Sequence, residues 1–219
     1  MNNETHSIRK VLMSSAVLDD IVSFSGTIEY FCVGLVDIVN STNITSRLSD
    51  EKSCLYYSIF LNTMAVIVKR FGGTVVKNIG DSLLYYFPKT SNSRDKQAFR
   101  EVIECGIGMI ELRDVINGKM SDSNLPELNY RISADYGRIM MADSLLSVNK
   151  DIFGSSVNSC NKINQYATPN TVVIGGDLYL FLKDEKEYIF KEMQPCSIGH
   201  KQSYSIYSVK QKRPSKPRF

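Results

Sequence analysis

Residues 31–42 read FCVGLVDIVNST, and this stretch decides how the rest of the chain is interpreted. Phe31–Ile38 is almost entirely apolar, short and rich in β-branched residues, which is typical of a buried central strand. One acid, Asp37, lies near the end of this strand. Burying a lone carboxylate is costly unless it is paired or binds a metal. Asp37 is therefore the first candidate functional residue.

A helix and a hairpin follow this strand. A helical pattern runs from about residue 49 to residue 71 and stops at Gly72-Gly73, as helices commonly do at glycine. Thr74–Asn78 and Leu83–Phe87 are rich in β-formers, and Gly80-Asp81 in the short connection between them predicts a hairpin turn. If the first strand pairs beside this hairpin, Asp37 and Asp81 converge.

The remaining pattern completes a fold class. We predict helices over 7–27, 93–117, 154–167 and 177–182, a strand pair over 129–136 and 138–142, and strands over 171–174, 188–193 and 204–210. The leading order of strand, helix, hairpin, helix and strand indicates an α+β fold with a ferredoxin-like βαββαβ core and extra C-terminal strands. We divide the chain into an N-terminal helical extension (1–29), a catalytic domain (30–210) and a basic tail (211–219).

Composition excludes several classes of protein. The 219 residues are 43% hydrophobic and 22% charged, as in an ordinary globular protein, and the net charge of +3 is too small to indicate nucleic-acid binding. No apolar run is long enough for a membrane span, and the N-terminal residues lack the apolar stretch of a signal peptide. The five cysteines are widely spaced without a CxxC pair, so we expect reduced thiols, no zinc site and a cytoplasmic protein.

The two candidate acids suit a hard cation. Two converging carboxylates without histidine are the oxygen ligands that Mg²⁺ or Mn²⁺ prefers. The turn Asn40-Ser41-Thr42 joins a strand to a helix, so its backbone N–H groups are placed to bind phosphate. The alternatives remain open at this point: Asp37 caps a helix, Asp81 only makes a turn, and the polar turn is an ordinary helix cap.

Four further polar residues accompany these acids. Lys77 lies on the strand entering the hairpin, and Asp151 precedes the helix in which Asn158 and Lys162 are four apart and share a face. An amide and a cation near a helix start suit a ribose triphosphate, and they equally suit solvent. The phosphate-loop pattern GxxxxGK[ST], the dinucleotide fingerprint and the patterns GxSxG and HExxH are absent from the sequence.

Together these segments resemble the class III adenylyl/guanylyl cyclase family over about residues 30–210. Residues 37–42 (DIVNST) look like its first metal motif, residues 72–82 (GGTVVKNIGDS) look like its glycine pair, strand and second metal motif, and residues 151–158 (DIFGSSVN) are similar to its acid, glycine and Val-Asn segment. The order and spacing of the three segments make the resemblance specific.

The resemblance implies a role for each candidate. Asp37, Asp81 and the backbone carbonyl of Ile38 would hold two Mg²⁺ or Mn²⁺ ions per site, and residues 40–42 (Asn40, Ser41, Thr42) would contact phosphate. Lys77 and Asp151 would read the purine, and this combination resembles the adenine-specific version. Asn158 would orient the ribose of ATP.

One position departs from the family pattern. Lys162 stands where the family usually has an arginine that stabilises charge developing on the phosphate, so the planar fork of donors is lost while the charge is kept. This puts the turnover rate in doubt more than the type of reaction. Lys201 lies in a stretch that loosely resembles the family's late phosphate-binding lysine.

The family also implies an assembly. Its members place the site at a head-to-tail dimer interface, so this chain, which carries both sets of residues, would form a homodimer with two composite sites. The segment Met140–Lys150 would be the dimerisation arm. Two other functions stay open: a catalytically weak nucleotide-binding regulatory domain of the same fold, favoured by Lys162, and a cyclase for GTP or a pyrimidine nucleotide.

Overall fold

The computed structural model describes residues 22–144, 150–199 and 201–212. Its main sheet has eight strands, with seven in the order β2-β3-β1-β4-β6-β10-β7 and β5 paired to β4. The strands of this sheet and of a second, two-stranded sheet (β8-β9) are β1 (Val22–Ile38), β2 (Thr74–Ile79), β3 (Ser82–Phe87), β4 (Tyr130–Ser144), β5 (Asp151–Phe153), β6 (Thr171–Gly175), β7 (Tyr188–Glu192), β8 (Cys196–Ile198), β9 (Lys201–Tyr204) and β10 (Ile206–Gln211).

Six α-helices connect these strands within the described residues. They are α1 (Ser41–Thr45), α2 (Asp50–Arg70), α3 (Lys96–Glu111), α4 (Arg113–Asp122), α5 (Ser155–Asn164) and α6 (Gly176–Leu182). The order β1-α2-β2-β3-α3-β4, with strands side by side as β4-β1-β3-β2, is the ferredoxin-like core that the sequence predicted. The added strands β6, β10 and β7 extend the sheet beyond β4, and β6 runs parallel to β4.

The alternating side chains of β1 build both hydrophobic layers. Cys32, Val36 and Ile38 pack in the layer that contains residues of α2 and α3. Phe31, Val33 and Leu35 belong to the opposite layer, together with residues of β3 and α5. Because both faces of β1 are covered, the strand is apolar at nearly every position, as a central strand must be. Asp37 continues the second series and projects on the α5 side of the sheet.

Several predicted boundaries were wrong. The helix predicted over 7–27 is contradicted at residues 22–27, which lie in β1, and its earlier part lies outside the described residues. The strand pair predicted over 129–142 is one continuous strand, β4, and the helix predicted over 93–117 is two helices that meet at Leu112. The last predicted strand begins at Ile206, because Tyr204 belongs to β9.

Gly137 lies between the two strands that were predicted over 129–142. In the structure Gly137 pairs with Phe31, and the pairing of β4 with β1 continues on both sides of it. A Cβ on Gly137 would lie 3.3 Å from the Cβ of Ser156 in α5. The glycine therefore allows close approach of α5 to the strand, without ending it.

Two further observations bear on the sequence predictions. None of the helices in the described part of the chain is long and apolar enough to cross a membrane. All five cysteines are free thiols, four of them buried, and only Cys54 is exposed.

Candidate active site

The candidate site is built around Asp37, where three neighbouring strands meet. Asp37 is the direct strand partner of Ser82 in β3 and of Arg131 in β4. The Ser82 hydroxyl donates to Asp37 Oδ1 at 2.6 Å, and the Arg131 guanidinium donates to Asp37 Oδ2 at 2.7 Å. Both carboxylate oxygens of Asp37 are therefore hydrogen-bonded, and its charge is balanced by a cation 94 residues away in the sequence.

Asp81 is placed beside this group by the hairpin. Ile79 pairs with Ser82, so Gly80 and Asp81 form the two-residue turn, with Gly80 at φ 60°. Because Asp81 directly precedes Ser82, the partner of Asp37, the register brings the two predicted acids to the same end of the sheet. Convergence of the two carboxylates on one metal site stays a prediction.

The donor set is compatible with a hard divalent cation. Asp37 and Asp81 supply carboxylate oxygens, and Ile38 follows Asp37 at the end of β1, paired with Tyr130. Among the described residues no group of three or more His, Cys, Asp or Glu side chains gathers as a metal site, at this end of the sheet or at any other place. Two acids and a backbone carbonyl fit Mg²⁺ or Mn²⁺ on chemistry, and Arg131 would have to share or give up Asp37.

The predicted phosphate turn directly follows β1. Asn40 adopts a left-handed conformation (φ 63°) and precedes the five-residue helix α1. Asn40 and Thr42 are exposed, while Ser41 is buried and its carbonyl accepts from the Thr45 hydroxyl. The turn follows Asp37 closely in the sequence, and phosphate binding by it remains a prediction.

Lys77 and Asp151 contact each other. The Lys77 ammonium donates to Asp151 Oδ2 across the gap between β2 and β5, while Asp151 Oδ1 accepts from the backbone N–H of Ile152 at 2.8 Å. The Lys77 side chain is 44% exposed and that of Asp151 is 25% exposed. The pair presents unused ammonium donors and carboxylate lone pairs to solvent side by side.

Helix α5 is fixed to the sheet at both ends. Gly154 precedes it at φ 149°, and a Cβ there would lie 2.3 Å from the carbonyl oxygen of Arg138, so only glycine fits. At the other end the Asn164 amide donates to the carbonyls of Leu35 and Arg131 at 3.4 and 3.3 Å. The helix is therefore held against β1 and β4 within two residues of Asp37.

Asn158 and Lys162 occupy the exposed face of this helix. Neither side chain makes a hydrogen bond or an ion pair with any other described residue, and both are exposed. Lys162 lies in the last turn of the helix, and Asn158 lies about one turn earlier, towards the Gly154 end. Lys201 begins β9, in the small β8-β9 sheet that packs beside α5. The roles of Asn158, Lys162 and Lys201 remain predictions.

The predicted dimerisation arm is partly described. Met140–Ser144 is the end of β4, residues 145–149 lie outside the described residues, and β5 returns along β4. The described strand residues of the predicted arm, Met140–Ser144, pair with residues 22–28 of β1 on one side, and the first three of them pair with β5 on the other. Ile28, Met140 and Phe153 pair in one row across it, and Ile28 and Phe153 are 49% and 40% exposed. A row of exposed apolar side chains on neighbouring strands is a candidate contact surface.

A further carboxylate, that of Asp135 in β4, is deeply buried. It is 1% exposed, and the Tyr204 hydroxyl lies 3.0 and 2.9 Å from its two oxygens. Burial raises the pKa of Asp135 from 3.8 to about 7, against the lowering effect of Tyr204 and two backbone N–H groups. Gly175 leaves room for it, since a Cβ there would lie 2.2 Å from Asp135 Oδ1.

Sequence reasoning missed Arg131. The signal that points to it is a cation near the start of β4, the counterpart of the acid near the end of β1. Pairing the two needs the register of β1 with β4, which the local pattern does not contain.

Comparisons with known proteins show the family of this chain. Residues 25–211 match the family model described as the adenylate and guanylate cyclase catalytic domain. The chain is 24% identical over 142 residues to an adenylate cyclase of Streptomyces coelicolor, covering 65% of this chain and 31% of that protein. It is 21% identical over 165 residues to a cytidylate cyclase of Staphylococcus aureus, covering 73% and 39%. The chain thus spans about a third of the length of these curated relatives.

A solved structure shows the same fold. The crystal structure of the adenylyl cyclase CyaB from P. aeruginosa aligns with a TM-score of 0.77 at 20% identity, over 85% of this chain and 96% of that chain. At this identity the likeness establishes the architecture and leaves the substrate open.

Proposed function

This chain belongs to the adenylate and guanylate cyclase catalytic domain family, and we propose that it converts ATP to 3′,5′-cyclic AMP and pyrophosphate at a homodimer interface. We propose ATP as the substrate because of the Lys77–Asp151 pair. Its free ammonium donors suit the adenine ring nitrogen, and its carboxylate suits the 6-amino group. Guanine presents the opposite pattern of donor and acceptor at those edges.

We propose cyclisation as the reaction because of the two acids at the end of the sheet. Asp37 and Asp81 would hold two divalent metal ions with the backbone carbonyl of Ile38. Such ions would lower the pKa of the ribose 3′-hydroxyl and neutralise charge on the phosphates. The 3′-oxygen forms a bond to the α-phosphorus. At the same time the bond from the α-phosphorus to the oxygen that bridges it to the β-phosphate breaks, so that pyrophosphate leaves in line. Asn40, Ser41 and Thr42 would contact the phosphates through the turn after β1.

The exposed face of α5 would complete the site. Asn158 would orient the ribose, and Lys162 would stabilise negative charge on the phosphate. Both lack partners among the described residues of their own chain, as expected of side chains whose ligand is supplied elsewhere. We propose that each site takes Asp37 and Asp81 from one protomer and Lys77, Asp151, Asn158 and Lys162 from the other.

The arm supports the dimer. Ile28 and Phe153 expose apolar area on β1 and on β5, the strands that pair with the arm on its two sides. Covering this row with a second copy would bury it and place the two protomers' site residues together. The free cysteines favour a reducing compartment, and we propose the cytoplasm.

Two other functions have an observation in their favour. Lys162, in place of the usual arginine, favours a nucleotide-binding regulatory domain with weak catalysis. The similarity to a cytidylate cyclase favours a pyrimidine nucleotide, and the breadth of the family leaves GTP as a further candidate. The intact Asp37, Asp81 and Lys77–Asp151 pair favour the adenylate cyclase over both.

One experiment separates these functions. Purified protein is incubated with ATP, GTP, CTP or UTP in turn, each with Mn²⁺, and the products are separated by chromatography. Cyclic AMP as the main product, absent with Asp37→Ala, is the expected result. A cyclic pyrimidine or cyclic GMP would replace the proposed substrate, and no product from a dimeric protein would favour the regulatory domain.

A further inference from the structure

The carboxylate of Asp37 is already occupied in the folded chain. Arg131 donates to Oδ2 and Ser82 donates to Oδ1, so each oxygen has a partner before any cation arrives. The side chains of Asp37 and Arg131 are 17% and 27% exposed, so the pair is shielded from water more than a surface ion pair is. Shielding strengthens the attraction of the two charges.

The guanidinium of Arg131 nevertheless has one donor without a hydrogen-bond acceptor. The Nε of Arg131 is buried and has no hydrogen-bond partner. A buried donor without an acceptor costs free energy, so this position of the guanidinium stabilises the folded chain less than a fully hydrogen-bonded arginine would. This favours a side chain that can leave Asp37 when another cation competes for the carboxylate.

Charge makes the two occupants compete. A divalent cation on Asp37 would lie within a few ångströms of the guanidinium and be repelled by it. The direct strand pairing of Asp37 and Arg131 keeps the backbone attachment of the arginine close, so the conflict is relieved only when its side chain moves.

We propose that Arg131 is the resident counter-ion of the metal site, and that its guanidinium must leave Asp37 before a divalent cation binds there. The inference rests on the metal-binding role of Asp37 in the proposed function. Its consequence is that the protein without nucleotide binds metal more weakly than its carboxylates alone would allow. Arg131 thus sets the metal concentration at which the site fills.

The test measures Mn²⁺ binding to the nucleotide-free full chain by the electron paramagnetic resonance signal of free Mn²⁺. Arg131→Gln is expected to tighten binding about fivefold, equivalent to about 1 kcal/mol. Arg100→Gln is the matched control, because Arg100 also has a buried Nε without a hydrogen-bond partner, and that Nε lies 3.7 Å from an acid, Glu185, remote from Asp37 in the sequence. The control should bind Mn²⁺ as the wild type does.

A double-variant cycle separates direct contact from general charge. In an Asp37→Asn background the effect of Arg131→Gln should disappear, because the competing contact is gone. An equal effect in that background would overturn the inference in favour of long-range charge. Unchanged or weaker Mn²⁺ binding by Arg131→Gln would overturn it outright, as would the absence of binding by both the wild type and this variant.

The proposed function fails separately. If the wild type binds Mn²⁺ and Asp37→Asn leaves that binding unaltered, the metal role of Asp37 is wrong. If Asp37→Asn weakens binding and Arg131→Gln in the otherwise unaltered chain does not change it, only the counter-ion inference is wrong.

A measurement on the unaltered chain covers the case in which Arg131→Gln does not fold. The ¹⁵N resonances of the arginine side chains are followed as Mg²⁺ is added, with that of Arg131 assigned from an Arg131→Lys spectrum. The Arg131 signal should shift as its contact with Asp37 is lost, while that of Arg113, which pairs with Glu127, should not. A static Arg131 signal at saturating Mg²⁺ would contradict the inference.

Discussion

Lys77 and Asp151 are 74 residues apart in the sequence and form an ion pair between β2 and β5. The two proposed purine readers are therefore one unit, and changing either alone leaves the other charge without its partner. Changing Lys77→Glu together with Asp151→Cys should lower the ratio of ATP to GTP turnover at least about tenfold, or roughly 1.4 kcal/mol. Competition between the two nucleotides, read by product chromatography, measures this ratio.

The single change Lys77→Glu serves as the control for this prediction. It places two carboxylates together, so nucleotide use should fall without a gain for GTP. An ATP-to-GTP ratio that stays constant in the double variant would refute the purine-reading roles.

Lys162 tests the departure from the family pattern. Lys162→Arg should hold or raise turnover, by up to about tenfold, because a planar fork of donors suits phosphate better than a single ammonium group. Steady-state kcat for ATP is the measurement, and Lys183→Arg, an exposed lysine just after α6, is the control. A large loss of kcat with Lys162→Arg would mean that this lysine has another role.

Replacing Asp37 tests whether the acids at the end of the sheet bind the metal ions. Asp37→Ala should reduce cyclisation at least about a hundredfold, because the hard oxygen ligand is lost, while the protein still unfolds cooperatively. The exposed Asp184 provides a matched Asp184→Ala control that should keep full activity. Activity retained by Asp37→Ala would remove the metal assignment.

The composite site predicts complementation between two inactive chains. Asp37→Ala and Asn158→Ala affect opposite halves of a site, so a mixture of the two chains forms heterodimers with one intact site each. After random exchange, about a quarter of wild-type activity should return. Mixing Asp37→Ala with Asp81→Ala, which damage the same half, should restore nothing. Equal recovery in both mixtures would contradict the head-to-tail arrangement.

Asp135 predicts a pH dependence of stability. Its pKa is raised to about 7 in the folded protein, so between about pH 4 and pH 7 the folded chain binds more protons than the unfolded chain. Stability from this group therefore falls as pH rises through that window, by an amount on the order of 4 kcal/mol, and levels off above pH 7. Tyr204, whose own pKa is raised by burial, stays protonated as a donor throughout.

Urea unfolding at a series of pH values measures this effect. The Asn side chain in Asp135→Asn is uncharged at all pH values, so this variant should lack the fall in stability with rising pH. Asp184→Asn, at an exposed site, should keep that fall. The groups that surround Asp135 are Tyr204, Asp177, Cys32 and Cys160. An unaltered slope in Asp135→Asn would assign the pH dependence to another group.

The amino-acid sequence by itself determined the local elements that carry the acids. The apolar run of β1 with Asp37 near its end, the stop of α2 at Gly72-Gly73 and the hairpin turn at Gly80-Asp81 all follow from neighbouring residues. Helix α5 with Asn158 and Lys162 on one face is equally local. Such features are decided by backbone propensities and side-chain periodicity within a few residues.

Only the tertiary structure decided which of these residues meet. The contact of Arg131 with Asp37 depends on the register of β1 with β4, and that of Lys77 with Asp151 depends on where β5 folds back onto β4. The continuity of β4 through Gly137 likewise depends on pairing with β1 and on the close packing of α5. Register and packing are set by the sum of contacts between distant segments, so a local pattern of residues does not contain them.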